Sequence, residues 1–385
     1  MIKRGDKRRS TVQRGYAMLA IIAAIGVAST AVVVTSLSAT AVRNEQGRRD
    51  SNALALAKQA LIVSAASSNS RPGSLPCPDV DNDGLSDQIG NNTAAACTHF
   101  IGRLPWQTLG LPDLRDAAGE RLWYAVSANF QDISANRINA STVGQLIVRD
   151  GVQTTTGVVA IITAPSKSLG TQRRDTAQAN SMANYLEGYS ADTLTATLHA
   201  QDTAHNNQLA VITPADIFSL VERRVAKEIQ NSLQNYYLAV ANPTPHSMPY
   251  PAQTEIIDDG NYNYPASVVA PPFSRPVLSG YLPSNDPTLV LPAWFSANRW
   301  NRVLNYRVDS NYVPSAVTAA TGTCGTASFT VSSYGVLIGG TAGVPTIGTM
   351  AMLGFNGVST AYSNFQSTLL NATVQAQVQT QTQTP

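Results

Sequence analysis

The residues whose types and spacing best suit chemistry lie in one stretch, Asp79-Val80-Asp81-Asn82-Asp83-Gly84-Leu85-Ser86-Asp87. Carboxylates at alternating positions, with glycine at the sixth, let a tight loop turn several oxygens toward one hard cation, as a calcium loop does. This spacing predicts calcium as the ion and Asp79, Asp81, Asp83, the Leu85 carbonyl and Asp87 as its ligands. The twelfth position is Gly90, so the usual bidentate glutamate is missing, and a solvated turn held by Asx hydrogen bonds is the alternative reading. Cys77 and Cys97 flank the loop. Outside the cytoplasm such a pair forms a disulfide, and closing about 20 residues stabilises a fold by about 3 kcal/mol in the chain-entropy model. The third cysteine, Cys324, is remote, and the three together lack zinc spacing.

Enzymatic patterns are missing. His99, His199, His205 and His246 belong to no H-E-x-x-H, no serine sits in G-x-S-x-G, and G-x-x-x-x-G-K does not occur. The remaining carboxylates are too scattered to nominate an acid/base pair. Phe100, Trp106, Trp123, Tyr124 and Phe130 read as core and sheet face. The chain is therefore expected not to be an enzyme.

Composition narrows the class further. The 385 residues carry 26 Lys+Arg against 24 Asp+Glu, and only 13% are charged, about half of the roughly 25% usual for soluble domains. No basic stripe is available to neutralise phosphates, so nucleic acid is not an expected partner. The charge is also uneven. Residues 1–15 hold six basic residues and only Asp6, whereas Tyr16 to Val42 is a run of 27 residues without charge. As a helix that run would extend roughly 40 Å, enough for a hydrocarbon core of about 30 Å. The basic flank would stay inside and the body would lie outside. The prediction is a single-pass inner-membrane helix over 16–42, with the C-terminal body in the periplasm or on an extracellular filament.

The junction Gln13-Arg14-Gly15-Tyr16-Ala17-Met18-Leu19 is a basic leader ending in glycine, then an aromatic residue, then the apolar run. It resembles the class III signal of type IV pilins and type II secretion pseudopilins. The resemblance implies cleavage by prepilin peptidase between Gly15 and Tyr16, N-methylation at Tyr16, and assembly with other pilins or pseudopilins through the N-terminal helix. Family members usually carry glutamate at the fifth mature position, where this chain has Ala20. That departure resembles the large minor pseudopilin of a filament tip, and implies a minor structural subunit. A different outcome is a secreted or periplasmic binding or surface protein, released by signal peptidase after Ala41 in Ala39-Thr40-Ala41.

The remaining elements must position the acidic loop. Leu54, Ala57, Leu61 and Ala65 fall at helical period, so a periplasmic continuation of the first helix is expected over 43–68, with Gly47 marking a bend. A second helix is expected from Asp216 to Val240, capped by Thr213 with Pro214 in its first turn. Landmarks repeat along the chain. Leu75-Pro76-Cys77-Pro78 and Gly102-Arg103-Leu104-Pro105 find counterparts in Met248-Pro249-Tyr250-Pro251 and Gly280-Tyr281-Leu282-Pro283. Leu122, Tyr124, Val126, Asn129 and Phe130 align with Leu304, Tyr306, Val308, Asn311 and Tyr312 at an offset of 182, Leu-x-Tyr-x-Val reading as a half-buried strand in each copy, and a second pair, Gly157-Val158 to Thr163-Ala164 with Gly335-Val336 to Thr341-Ala342, repeats at 178. The predicted class is α+β: a long N-terminal transmembrane helix, then two tandem pilin-like modules over 69–212 and 213–371, each a helix on an antiparallel sheet. Residues 372–385 form a low-complexity Gln/Thr tail expected to be disordered.

Overall fold

The structure, a computed structural model, describes residues 41–88, 97–151, 153–170, 172–187, 195–198, 204–239, 248, 249, 251, 279–283, 286, 288–308, 333–338 and 351–355. Helix α1 spans 41–67 without a break at Gly47. Its apolar stripe is buried as the periodicity requires, through Ala53, Leu54, Ala57, Leu61, Ile62 and Ala65. Helix α2, Pro214–Leu238, opens with a capping box: the Thr213 side chain accepts from the Asp216 amide while the Asp216 carboxylate accepts from the Thr213 amide. Its buried face adds Phe218 to the apolar positions, and Leu220 is only partly buried.

The two helices run side by side in the same direction. Lys58 pairs with Asp216 at 3.1 Å and donates to the Val211 carbonyl at 2.8 Å. Eight residues further along both helices, Arg224 Nη1 donates to the carbonyls of Ala66 and Ser68, each at 2.7 Å. Arg224 thus satisfies carbonyls that the end of α1 leaves without intrahelical donors.

Two four-stranded antiparallel sheets accompany the helices. The first has the order β1 (Ile101–Arg103), β2 (Trp123–Val126), β5 (Ala160–Ala164), β7 (Gln208–Ile212). The second runs β8 (Ser279–Tyr281), β9 (Leu304–Val308), β11 (Ala351–Phe355), β10 (Ser333–Ile338). A third sheet joins β4 (Gln153–Val158), β3 (Leu146–Asp150) and β6 (Thr195–Leu198), with β3 and β6 parallel. This small sheet covers the outer face of the first. Tyr124, Val126, Ala160 and Ile162 face the main core, whereas Ala125 and Ile161 join Leu146, Val148, Val158 and Ala196 in a second cluster. Strand β2 is therefore buried on both faces, not half-buried as its alternation suggested.

The repeat at offset 182 has a geometric counterpart. Gly102 lies opposite Tyr124 in the first sheet, and Gly280 lies opposite Tyr306 in the second. Tyr124 donates to the Pro76 carbonyl at 3.2 Å, and Tyr306 to the Pro249 carbonyl at 3.0 Å. At 178, Gly157-Val158 lies in β4 of the small sheet and Thr163-Ala164 in β5, while Gly335-Val336 lies in β10 and residues 341–342 lie outside the described residues. One core serves both sheets and both helices. An aromatic chain crosses it from Phe130 to Phe218, Trp300 and Phe355, with centroids 6.0–6.3 Å apart at each step. Buried Asn298 stitches the same region, donating to the Ser70 and Trp294 carbonyls and accepting from the Ile138 amide.

The expected fold class and location need correction at the first element. The architecture is α+β with antiparallel strands, but among the described residues no helix is long and apolar enough to cross a membrane. Helix α1 carries Arg43, Glu45, Arg48, Arg49, Asp50 and Lys58, and its apolar face packs on protein. The transmembrane helix and the single-pass inner-membrane placement are accordingly withdrawn. Residues 1–40 and the tail 372–385 lie outside the described residues.

Tyr124→Phe and Tyr306→Phe each remove one buried donor from a proline carbonyl. Each is expected to cost about 1–3 kcal/mol, and equivalent sites should give similar losses, read as shifts in urea unfolding midpoint.

Candidate functional site

The acidic loop sits against β1. Asp79 exchanges backbone hydrogen bonds with Arg103, and the approach is so close that a Cβ on Gly102 would lie 2.5 Å from the Asp79 carbonyl oxygen. This contact buries the Asp79 side chain completely. Its carboxylate then becomes the hub of the turn: Oδ1 accepts from the Asn82 amide at 2.5 Å and Oδ2 from the Gly84 amide at 2.7 Å. Burial pushes the Asp79 carboxyl above the ordinary aspartate range. The two amide bonds oppose that shift, and repulsion from Asp83 and Asp87 adds to it.

The loop is shaped by two residues in the left-handed region, Asn82 at φ 71° and Gly84 at φ 91°. Asn82 is held there by Arg121, whose Nη1 donates to the Asn82 carbonyl at 2.6 Å and to its Oδ1 at 2.8 Å. Arg121 is itself fixed by Asp113 at 2.9 Å. Gly84 packs beneath Trp106, and its carbonyl accepts from the Gln107 amide at 2.8 Å.

Asp79, Asp81 and Asp87 each bring an oxygen within 4.8 Å of the others, a set able to grip one cation. Asp87 reaches the cluster by accepting from the Val80 amide at 2.6 Å. Asp81 is exposed, and its Oδ1 accepts from the Asp83 amide. Asp83 does not join the set; its Oδ1 turns to the Leu85 amide at 2.7 Å. The Leu85 side chain is exposed, and its carbonyl remains a candidate oxygen beside the three carboxylates. Three carboxylates suit a hard cation, and calcium's usual six to eight oxygens would have to be completed by carbonyls or water. Cys77 and Cys97 are bonded, with Cα atoms 5.3 Å apart, so the loop is closed covalently at its base. The processing residues Gly15 and Tyr16, and Cys324, lie outside the described residues.

Sequence reasoning placed Asn82 in the loop without a role and missed Arg121 as its partner. Asn82 in a D-N-D-G turn carried a signal, since asparagine tolerates the left-handed region, but nothing local marked its partner 39 residues away. Compared with protein-family models, curated proteins and solved structures, the chain matches none.

Gly84→Ala combines a strained φ with a Cβ 2.5 Å from Trp106 Nε1, whereas Gly119→Ala, at φ 86°, meets nothing within 4 Å. The first is expected to cost more than the second, with strain alone accounting for about 1–3 kcal/mol. Urea unfolding of both variants measures the difference.

Proposed function

We propose that this chain is a non-enzymatic structural subunit of a filament of the type IV pilin or type II secretion pseudopilin kind, in a minor or tip position. The observation that carries the reading is α1, a 41–67 helix whose apolar face is buried against a four-stranded antiparallel sheet, preceded in sequence by an uncharged run behind a basic leader ending in Gly15. In this reading prepilin peptidase cuts after Gly15, other pilin-like subunits pack on the uncharged N-terminal run, and the large body is presented at the surface of the assembly. Ala20 supports the minor position, because a repeating subunit of that kind would use a carboxylate there. The disulfide at the base of the loop suits an oxidising compartment. Nucleic acid is not a partner in this reading, since the charge is sparse and mixed in sign.

The acidic loop takes a calcium ion through Asp79, Asp81 and Asp87 as a structural clamp, not a reaction centre. Its cluster sits beside β1 and the disulfide, so the ion would stiffen the segment between Cys77 and Arg103.

N-terminal sequencing of the mature protein from producing cells tests the filament reading. A terminus at Tyr16 is expected. A terminus at Val42 would overturn it in favour of a released binding or surface protein, and an intact Met1 would also overturn it. For the loop, calcium about tenfold above its dissociation constant should add about 1.4 kcal/mol, a rise in Tm of about 2 °C over the chelated protein. An unchanged Tm would remove calcium from the reading and leave the filament role standing.

A further inference from the structure

Beside the acidic loop, a cavity of about 410 Å³ opens along edge strand β1, with Asp79 of that loop and Phe100, Ile101, Arg103, Trp123 and Met182 in its wall. Its volume lies within the range of small-molecule sites. Phe100 is 45% exposed, a large apolar side chain left at the mouth instead of packed away.

Among the described residues Arg103 has no ion-pair partner, and Glu120 acts on it only through space. Arg103 is only 4% exposed. Its Nη1 and Nη2 donate to the backbone carbonyls of Arg121 at 3.2 Å and Ala179 at 2.8 Å, while Nε has no acceptor. The guanidinium lies between the rings of Trp123 and Tyr185, 4.4 and 4.2 Å from their centroids. Trp123, also 4% exposed, leaves its indole N–H without an acceptor. The carboxylates that could neutralise Arg103 are engaged elsewhere: Asp79 with the Asn82 and Gly84 amides, and Glu120 with Arg174 at 3.4 Å. Buried cations are normally paired, because an isolated one carries a large desolvation cost. Here a cation and two unsatisfied N–H groups belong to side chains that form the wall of an apolar cavity.

We infer that the cavity binds a small carboxylate with an aromatic or aliphatic body. The carboxylate supplies the counter-charge that Arg103 lacks and accepts from the Arg103 and Trp123 N–H groups after a small adjustment of the side chains. The body packs on Phe100, Ile101 and Met182. Charge-assisted bonds of this type are about twice as strong as neutral ones, so a neutral analogue of equal shape binds more weakly. The wall includes Asp79, a ligand in the calcium reading, but the proposed contacts run through Arg103, Trp123, Phe100, Ile101 and Met182, so binding measured in chelator tests the inference apart from calcium.

Titration calorimetry on the full chain with phenylacetate tests it, beside phenylacetamide, which keeps the body without the charge, and acetate, which keeps the charge without the body. Saturable binding of phenylacetate is expected, with both controls at least about tenfold weaker, a difference of about 1.4 kcal/mol. Met182→Trp, which fills the cavity from a partly exposed position, should abolish binding, and Arg103→Met should weaken it at least about tenfold. If Arg103→Met does not fold, Met182→Trp and the phenylacetamide contrast decide. Phenylacetate that fails to saturate, phenylacetamide that binds equally well, or binding untouched by Met182→Trp would each overturn the assignment.

Discussion

The structure depends on the burial of β2 and β5 on both faces. Every residue of both strands is buried, and a strand in that position needs apolar cover on each side while its backbone groups stay paired in the sheet. One face is covered by the core that α1, α2 and the second sheet share, the other by the small sheet of β3, β4 and β6. The parallel pairing of β3 with β6, unusual beside so many antiparallel pairs, belongs to this outer covering. Both α1 and α2 offer their apolar faces to the inner core.

Strand β1, at the sheet edge, shows how the site grows out of that arrangement. Its free side is taken at Arg103 by the backbone of Asp79, which blunts the edge and carries the acidic loop into the protein. Asp79 is consequently buried, and its carboxylate is consumed in holding the Asn82 and Gly84 amides. The same strand contributes Arg103, whose side chain is buried among aromatic rings on the other side. Loop and cavity are thus two consequences of one edge, with the disulfide and the Arg121 to Asn82 contact fixing the loop from outside.

Much of the fold was legible because it is written in local patterns. The stripe of α1, the cap and apolar face of α2, and the Leu-x-Tyr-x-Val strands follow from period and turn chemistry. The duplicated tyrosines were visible as sequence, and the structure gives each a proline carbonyl as partner. At offset 178 the first copy is divided between β4 and β5, and only part of the second, in β10, is described. The continuation expected over 43–68 is present as α1, its apolar stripe buried on protein, whereas no helix among the described residues is long and apolar enough to cross a membrane.

For the acidic loop, spacing alone determined that carboxylates would converge and that the flanking cysteines could close it. Asx turns and glycine at a left-handed position are properties of neighbouring residues. Only the tertiary structure decided which carboxylates gather: Asp79, Asp81 and Asp87 do, while Asp83 turns to the Leu85 amide. It also decided that Arg103 is a buried cation with no ion-pair partner among the described residues. The physical reason is the same in both cases. Burial and the choice of a charge's partner depend on chain segments tens of residues apart, and no pattern within a single stretch encodes which of them will meet.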